Sequence, residues 1–174
     1  MALIVQKYGG TSVGDAGRIK DVVARRIAGR SDAGDRLVVV VSAMGHTTDE
    51  LIALARQMTE APERRELDLL LSTGEIVSAA LLSMALNHMG YRAVALSGAQ
   101  AGIRTDTRHG RARIARLDPR RIGEELEAGK IVIVAGFQGT TEEMEITTLG
   151  RGASDTTAVA LAAALKAERA EIYT

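Results

Sequence analysis

Residues 3–14 read Leu-Ile-Val-Gln-Lys-Tyr-Gly-Gly-Thr-Ser-Val-Gly, and the architecture of the chain turns on how that stretch folds. Leu3, Ile4 and Val5 form a short apolar run suited to a buried strand. Lys7 then falls at the carboxyl end of the strand, and Gly9-Gly10 stand where the backbone must turn tightly or approach a ligand. Ser12 is expected to cap a helix whose Val13, Ile19, Val22, Val23 and Ile27 share one face. Strand, lysine, double glycine and helix start together suit an anion, because free amides and the helix dipole both favour phosphate. A strand–turn–helix with a solvated lysine explains the same residues without any ligand. The spacing matches neither a Walker A loop nor Gly-x-Gly-x-x-Gly, so the rest of the chain must decide.

Outward from this stretch, strand-like and helix-like segments alternate. Leu37–Val41 and Ile131–Ala135 are unbroken runs rich in Val and Ile, as central strands of a parallel sheet covered on both faces require. Ala93–Leu96 and Glu171–Thr174 read as further strands. Helices are expected from Ser12 to Gly29, over Asp49–Met58 and over Glu63–Leu71. Ser72-Thr73-Gly74-Glu75 should interrupt the pattern before an apolar helix, Ile76–Met89, that reads as buried on all sides and is closed by Gly90. Asp118-Pro119 should open a helix ending at Gly129, and Thr156–Ala167 another, capped by Ser154 with Asp155 in its first turn. Residues 103–117 and 138–149 read as hairpin excursions. The alternation implies an α/β protein, a three-layer α/β/α sandwich around a mainly parallel central sheet.

Composition narrows the function classes. The chain of 174 residues is one domain in size, with 46% hydrophobic residues but only 2% aromatics, so Ala, Val, Leu and Ile must build the core. Lys plus Arg equals Asp plus Glu at 22 each, and basic residues are not interleaved with aromatics, which argues against a nucleic-acid partner. The absence of cysteine removes disulfides, thiolate nucleophiles and cysteine metal sites, and three scattered histidines make no metal cluster. No unbroken apolar run reaches the ~20 residues of a membrane span. A cytoplasmic protein without a membrane partner is the expectation.

Three glycine-bearing loops follow strand-like segments: Gly9-Gly10, Gly136-Phe137-Gln138-Gly139 and Gly150-Arg151-Gly152. Arg151 between two glycines offers a planar guanidinium to a carboxylate or phosphate. Glu75, beside Gly74 and without a basic neighbour in sequence, is either a first-turn glutamate favoured by a helix dipole or an acceptor for an ammonium group. Lys7 for phosphate, Glu75 for an amine and Arg151 for a carboxylate would suit an amino acid undergoing phosphoryl transfer. Such chemistry rests on positioning and charge neutralisation and needs no protein nucleophile.

Lys7-Tyr8-Gly9-Gly10-Thr11-Ser12, Ser42-Ala43-Met44-Gly45 with Thr47-Thr48-Asp49-Glu50-Leu51, Ser72-Thr73-Gly74-Glu75, Gly136-Phe137-Gln138-Gly139 and Thr147 to Asp155 occur here in the order found in aspartokinases. Along its whole length the chain resembles the first part of a bacterial aspartokinase, in the amino-acid kinase superfamily. The resemblance implies phosphorylation of the β-carboxylate of L-aspartate by ATP with Mg2+, the first step toward lysine, threonine and methionine. It implies that Lys7 contacts the transferred phosphoryl group, that Gly9 and Gly10 supply backbone donors, and that Gly136 and Gly152 belong to the phosphate or nucleotide loops. It further implies that Ser42 and Thr48, or the adjacent Thr47, hold aspartate, that Glu75 accepts from its ammonium and that Arg151 pairs with a carboxylate. Ser154 would line the site, and Asp155 would position Lys7.

Ala153 departs from the pattern, standing where the family usually has a second glycine. The family also continues beyond Glu-Ile-Tyr-Thr into a nucleotide-binding half and ACT regulatory domains. Residues 1–174 are therefore expected to be the N-terminal, substrate- and phosphate-facing part, inactive alone and completed by an oligomer or complementary chain. A non-catalytic aspartate-binding or assembly module, or another kinase of the superfamily, is the alternative.

Overall fold

The computed structural model describes residues 1–150 and 152–174. Its strands are β1 (Leu3–Tyr8), β2 (Arg36–Val41), β3 (Ala93–Leu96), β4 (Ile103–Thr105), β5 (Ile114–Leu117), β6 (Ile131–Ala135), β7 (Gln138–Thr140), β8 (Ile146–Thr148) and β9 (Arg169–Tyr173). Its helices are α1 (Ala16–Arg18), continued through a π-helical turn (Ile19–Val23) into α2 (Ala24–Asp32), then α3 (Thr47–Met58), α4 (Arg64–His88), α5 (Arg120–Glu127) and α6 (Ala153–Ala164).

Five strands in the order β3-β6-β2-β1-β9 form the central sheet, every neighbouring pair parallel. Alternation along the strands divides the core. Ile4, Leu37, Val39, Val41 and Ile133 face the side that Ile19, Val23, Ile27, Leu82 and Leu86 cover from the first helical stretch and α4. Val5, Val38, Val40, Val132 and Val134 face the other side, against Ile122 and Leu126 of α5 and Ala158 and Leu161 of α6. This is the expected three-layer sandwich. The two hairpin excursions, however, do not stay separate. A parallel β4–β7 pairing joins them into a second sheet, β5-β4-β7-β8, a long-range contact that the residue pattern within each excursion does not encode.

Helix boundaries and burial differ from expectation in physically informative ways. Ser12 caps nothing. Its hydroxyl donates to the Thr174 carbonyl, and Asp15 caps the helix by accepting from the Arg18 amide. The π-helical turn widens the spacing between Ile19 and Val23, so both point inward while Val22 turns out, 46% exposed. The stretch also runs past Gly29 to Asp32. Pro119, not Asp118, is the cap position of α5, although the Asp118 carboxylate still accepts from the Arg120 amide.

The largest correction concerns α4. Ser72 to Glu75 do not interrupt it, and the two expected helices are one helix of 25 residues. A glycine inside a helix costs only about 1 kcal/mol, and burial outweighs that here, since Ser72, Gly74, Glu75 and Ser78 all lie on the buried face. Nor is the helix buried all round: Ile76, Val77, Leu81 and Met84 form an exposed outward face. By length and composition α4 is also apolar enough to cross a membrane, contrary to the expectation from the sequence. Its inward face packs on the central sheet and carries two buried carboxylates, Asp68 and Glu75, which fits a core helix and would burden a lipid-facing one.

Gly102 shows how tightly the second sheet is attached. It has φ +84°, and a Cβ there would overlap the Asp118 carbonyl. Gly102→Ala is expected to lower stability by roughly 2–4 kcal/mol, from left-handed strain plus overlap. A urea midpoint unchanged from wild type would refute this.

Candidate active site

The carboxyl ends of β1, β2 and β6 open onto one cleft of about 310 Å³, the place where open parallel sheets present ligand sites. Lys7 reaches it from β1, Ser42 and Ala43 from the loop after β2, and Phe137 from the turn after β6. Glu75 enters from the middle of α4. Thr48 lies in the first turn of α3, and Ser154 and Asp155 in the first turn of α6. Two twelve-residue helices thus aim their positive ends at the same space.

Lys7 is 8% exposed, and its Nζ lies 2.9 Å from Asp155 Oδ1. A Cβ on Gly9 would come within 3.1 Å of that ammonium, and one on Gly10 within 3.0 Å of the Ala43 carbonyl, so the double glycine lets lysine and loop close together. The two glycine amides are not equivalent. Gly9 N–H donates to the Tyr173 carbonyl at 2.9 Å, whereas the amides of Gly10, Thr11 and Ser12 make no hydrogen bond with a described residue. Of the pair expected to donate to phosphate, Gly9 is already committed to strand β9.

Glu75 has the most unusual environment. It is 3% exposed, and its Oε2 has no hydrogen-bond partner among the described residues. Burial raises its pKa from the ordinary 4.5 to about 7, opposed more weakly by backbone groups of Glu75 and Ala43. It stands in mid-helix rather than at a helix start, so the dipole explanation fails. Gly74 brings it to the cleft: a Cβ at that position would lie 2.9 Å from Ala43 Cβ, and its lack lets α4 press against the loop after β2.

The structure brings together Lys7, Gly10, Ser42, Thr48, Glu75, Gly152, Ser154 and Asp155 from the expected set. Ser42 Oγ donates to Ser154 Oγ at 3.0 Å, and Ser154 therefore lies inside α6 as a cleft residue, not as its cap, which is Gly152 at φ +75°. Between the adjacent threonines it is Thr48 that lines the cleft, while Thr47 faces Gly74. Gly136 lies behind the wall, where a Cβ would come within 2.9 Å of Ser154 Oγ. Arg151 lies outside the described residues. Ala153 takes helical geometry in α6, and its methyl packs with Ala112 and Leu149. Phe137 is a cleft residue that the sequence pattern does not single out; its signature, φ +72° in a non-glycine residue, exists only in the folded chain.

A parallel sheet between helices, with a cleft holding a lysine and two helix starts at its strand ends, defines an α/β protein whose strand-end cleft suits an anionic ligand. The chain belongs to the amino acid kinase family, which it matches over residues 2–174. Within that family it is 62% identical to the aspartokinase of Geobacillus stearothermophilus, over 100% of this chain and 42% of that protein. Among solved structures it resembles aspartate kinase from Synechocystis, with TM-score 0.84 and 57% identity over 99% of this chain and 28% of that one. It also resembles E. coli aspartokinase III in complex with aspartate and ADP in the R-state, with TM-score 0.86 and 30% identity over 99% of this chain and 49% of that one. The chain therefore spans about two fifths of the length of the curated relative.

Proposed function

We propose that this cleft binds L-aspartate, and that residues 1–174 are the substrate- and phosphate-facing part of a cytoplasmic enzyme that phosphorylates its β-carboxylate with ATP. The observation that carries the reading is Glu75: a buried carboxylate with one oxygen unpartnered among the described residues, in the same cleft as Lys7. A carboxylate in that state favours a cation that arrives with the ligand, as the α-ammonium of an amino acid does. The aspartokinase relatives, one of them solved with aspartate and ADP, support the choice of amino acid and donor.

In this reading Glu75 accepts from the ammonium, Ser42, Thr48 and Ser154 hold the carboxylates, and Arg151 pairs with one of them. Gly152 belongs to the loop that turns into α6. A β-carboxylate oxygen attacks the γ-phosphorus, the bond to the ADP oxygen breaks, and 4-phospho-L-aspartate leaves. The nucleophile is already an anion, so no general base is required. Catalysis lies in holding the anions close and neutralising them. Lys7 supplies the positive charge, the amides of Gly10 to Ser12 supply donors to phosphate, and Asp155 fixes the lysine in place. Mg2+ would come bound to the nucleotide phosphates and would supply further charge neutralisation there, with Asp155, the carboxylate paired with Lys7, the residue that would help hold it. The outward apolar face of α4 suits packing in an oligomer.

Isothermal titration of the chain with L-aspartate, followed by MgATP, tests the reading. Saturable heat with L-aspartate is expected, and its absence at millimolar ligand would overturn the assignment of the cleft.

A further inference from the structure

Asp68 lies seven residues before Glu75 on the buried face of α4, two turns or ~10 Å along the axis. It is 1% exposed and touches no part of the cleft, and phosphoryl transfer gives it no task. Its carboxylate is nevertheless fully engaged. Oδ1 accepts from the Thr148 hydroxyl at 2.6 Å. Oδ2 accepts from the amides of Thr148 at 3.1 Å and Gly110 at 3.0 Å, and His109 Nδ1 lies 2.8 Å from the same oxygen. A buried carboxylate is costly unless its lone pairs are filled, and here every partner comes from the second sheet: the turn between β4 and β5, and the end of β8.

From that anchor a short chain of bonds leads back to the cleft. Leu149, next to Thr148, donates its amide to the Phe137 carbonyl at 2.9 Å, and the Phe137 amide lies 3.3 Å from Thr157 Oγ1 of α6. Phe137 holds φ +72° and lines the cleft. A non-glycine residue persists in that conformation only where its surroundings enforce it.

We propose that Asp68 is a positioning residue that fixes the spacing between Glu75 and the Phe137 wall of the cleft, by pinning β8 to the helix that carries Glu75. The proposal rests on the aspartate reading of the cleft and adds a remote residue that sets its dimensions. A misplacement of about 1 Å between binding groups can cost up to roughly a hundredfold, so slackening this tie weakens the ligand without touching it.

Thr148→Val keeps the side-chain shape but removes the hydroxyl that Asp68 accepts; Thr148→Ser keeps the hydroxyl. Each variant is titrated with L-aspartate, and amide hydrogen exchange is followed at Leu149 and along α4. Thr148→Val is expected to raise the aspartate Kd roughly tenfold and to speed exchange at Leu149 by a similar factor, with α4 amides unchanged. Thr148→Ser should restore both, and Asp68→Asn should reproduce the loss. Wild-type affinity and Leu149 protection in Thr148→Val would overturn the proposal. So would a serine variant as weak as valine, which would assign the effect to methyl packing. Failure of the wild-type chain to bind aspartate would instead remove the reading of the cleft, and exchange at Leu149 would then decide the structural tie by itself.

Discussion

Glu75→Gln is expected to abolish aspartate binding and, at the same time, to make the ligand-free protein more stable above neutral pH. Both effects follow from one buried carboxylate, with an oxygen that has no partner among the described residues. A glutamate whose pKa in the folded chain is about 7 binds more protons there than in the unfolded chain across the window from 4.5 to 7. Folding is therefore favoured at the acidic end of that window and loses free energy as pH rises through it, reaching a cost of about 3 kcal/mol above pH 7. Glutamine carries no charge to desolvate, so urea unfolding at pH 8 should show a gain of roughly 1–3 kcal/mol. The same change removes the anion that the ammonium needs, and breaking such a buried pair weakens binding by roughly a hundredfold or more. For the wild type, aspartate affinity should fall as pH drops below about 7, because the ligand must first displace a proton from Glu75. Calorimetry in buffers of different ionisation enthalpy would register that proton. Unchanged affinity in the glutamine variant would remove Glu75 from the site.

Lys7→Ala is expected to separate binding of the amino acid from transfer of the phosphoryl group. Lys7 pairs with Asp155 at 2.9 Å, and Asp155 is half exposed, so the aspartate left behind is solvated and the fold should survive. The aspartate Kd should stay within roughly threefold, since that ligand relies on Glu75 rather than on the lysine. Transfer should suffer, because removal of one preorganised donor to a developing charge costs roughly 10²–10³ in rate. In an enzyme of full family length carrying these residues, the acyl phosphate can be trapped with hydroxylamine. In the 174-residue chain, loss of inorganic tripolyphosphate binding gives the parallel readout. Wild-type turnover or wild-type tripolyphosphate affinity in the alanine variant would refute the role given to Lys7.

The site and the fold were legible to different depths. Lys7 was readable as a cleft residue because it sits at a local junction, strand end to double glycine, that composition marks within a few residues; Ser42, Ser154 and Asp155 were placed in the site by the resemblance to aspartokinases. Phe137 and Asp68 were not. The backbone of Phe137 is forced by Leu149 and Thr157, and the partners of Asp68 lie 41 to 80 residues away.

The amino-acid sequence by itself determined the layers of this protein: Val- and Ile-rich runs that suit only central parallel strands, helices between them, and a glycine–lysine turn at the end of the first strand. These are short-range properties, set by side-chain shape and backbone freedom. Only the tertiary structure decided that α4 runs unbroken through Gly74, that two hairpins merge into one sheet, and that Glu75 is buried with one oxygen unpartnered among the described residues. Each of those depends on the balance between a local cost, a helix glycine or a desolvated charge, and the packing of distant segments against it. That balance exists only once the chain has folded.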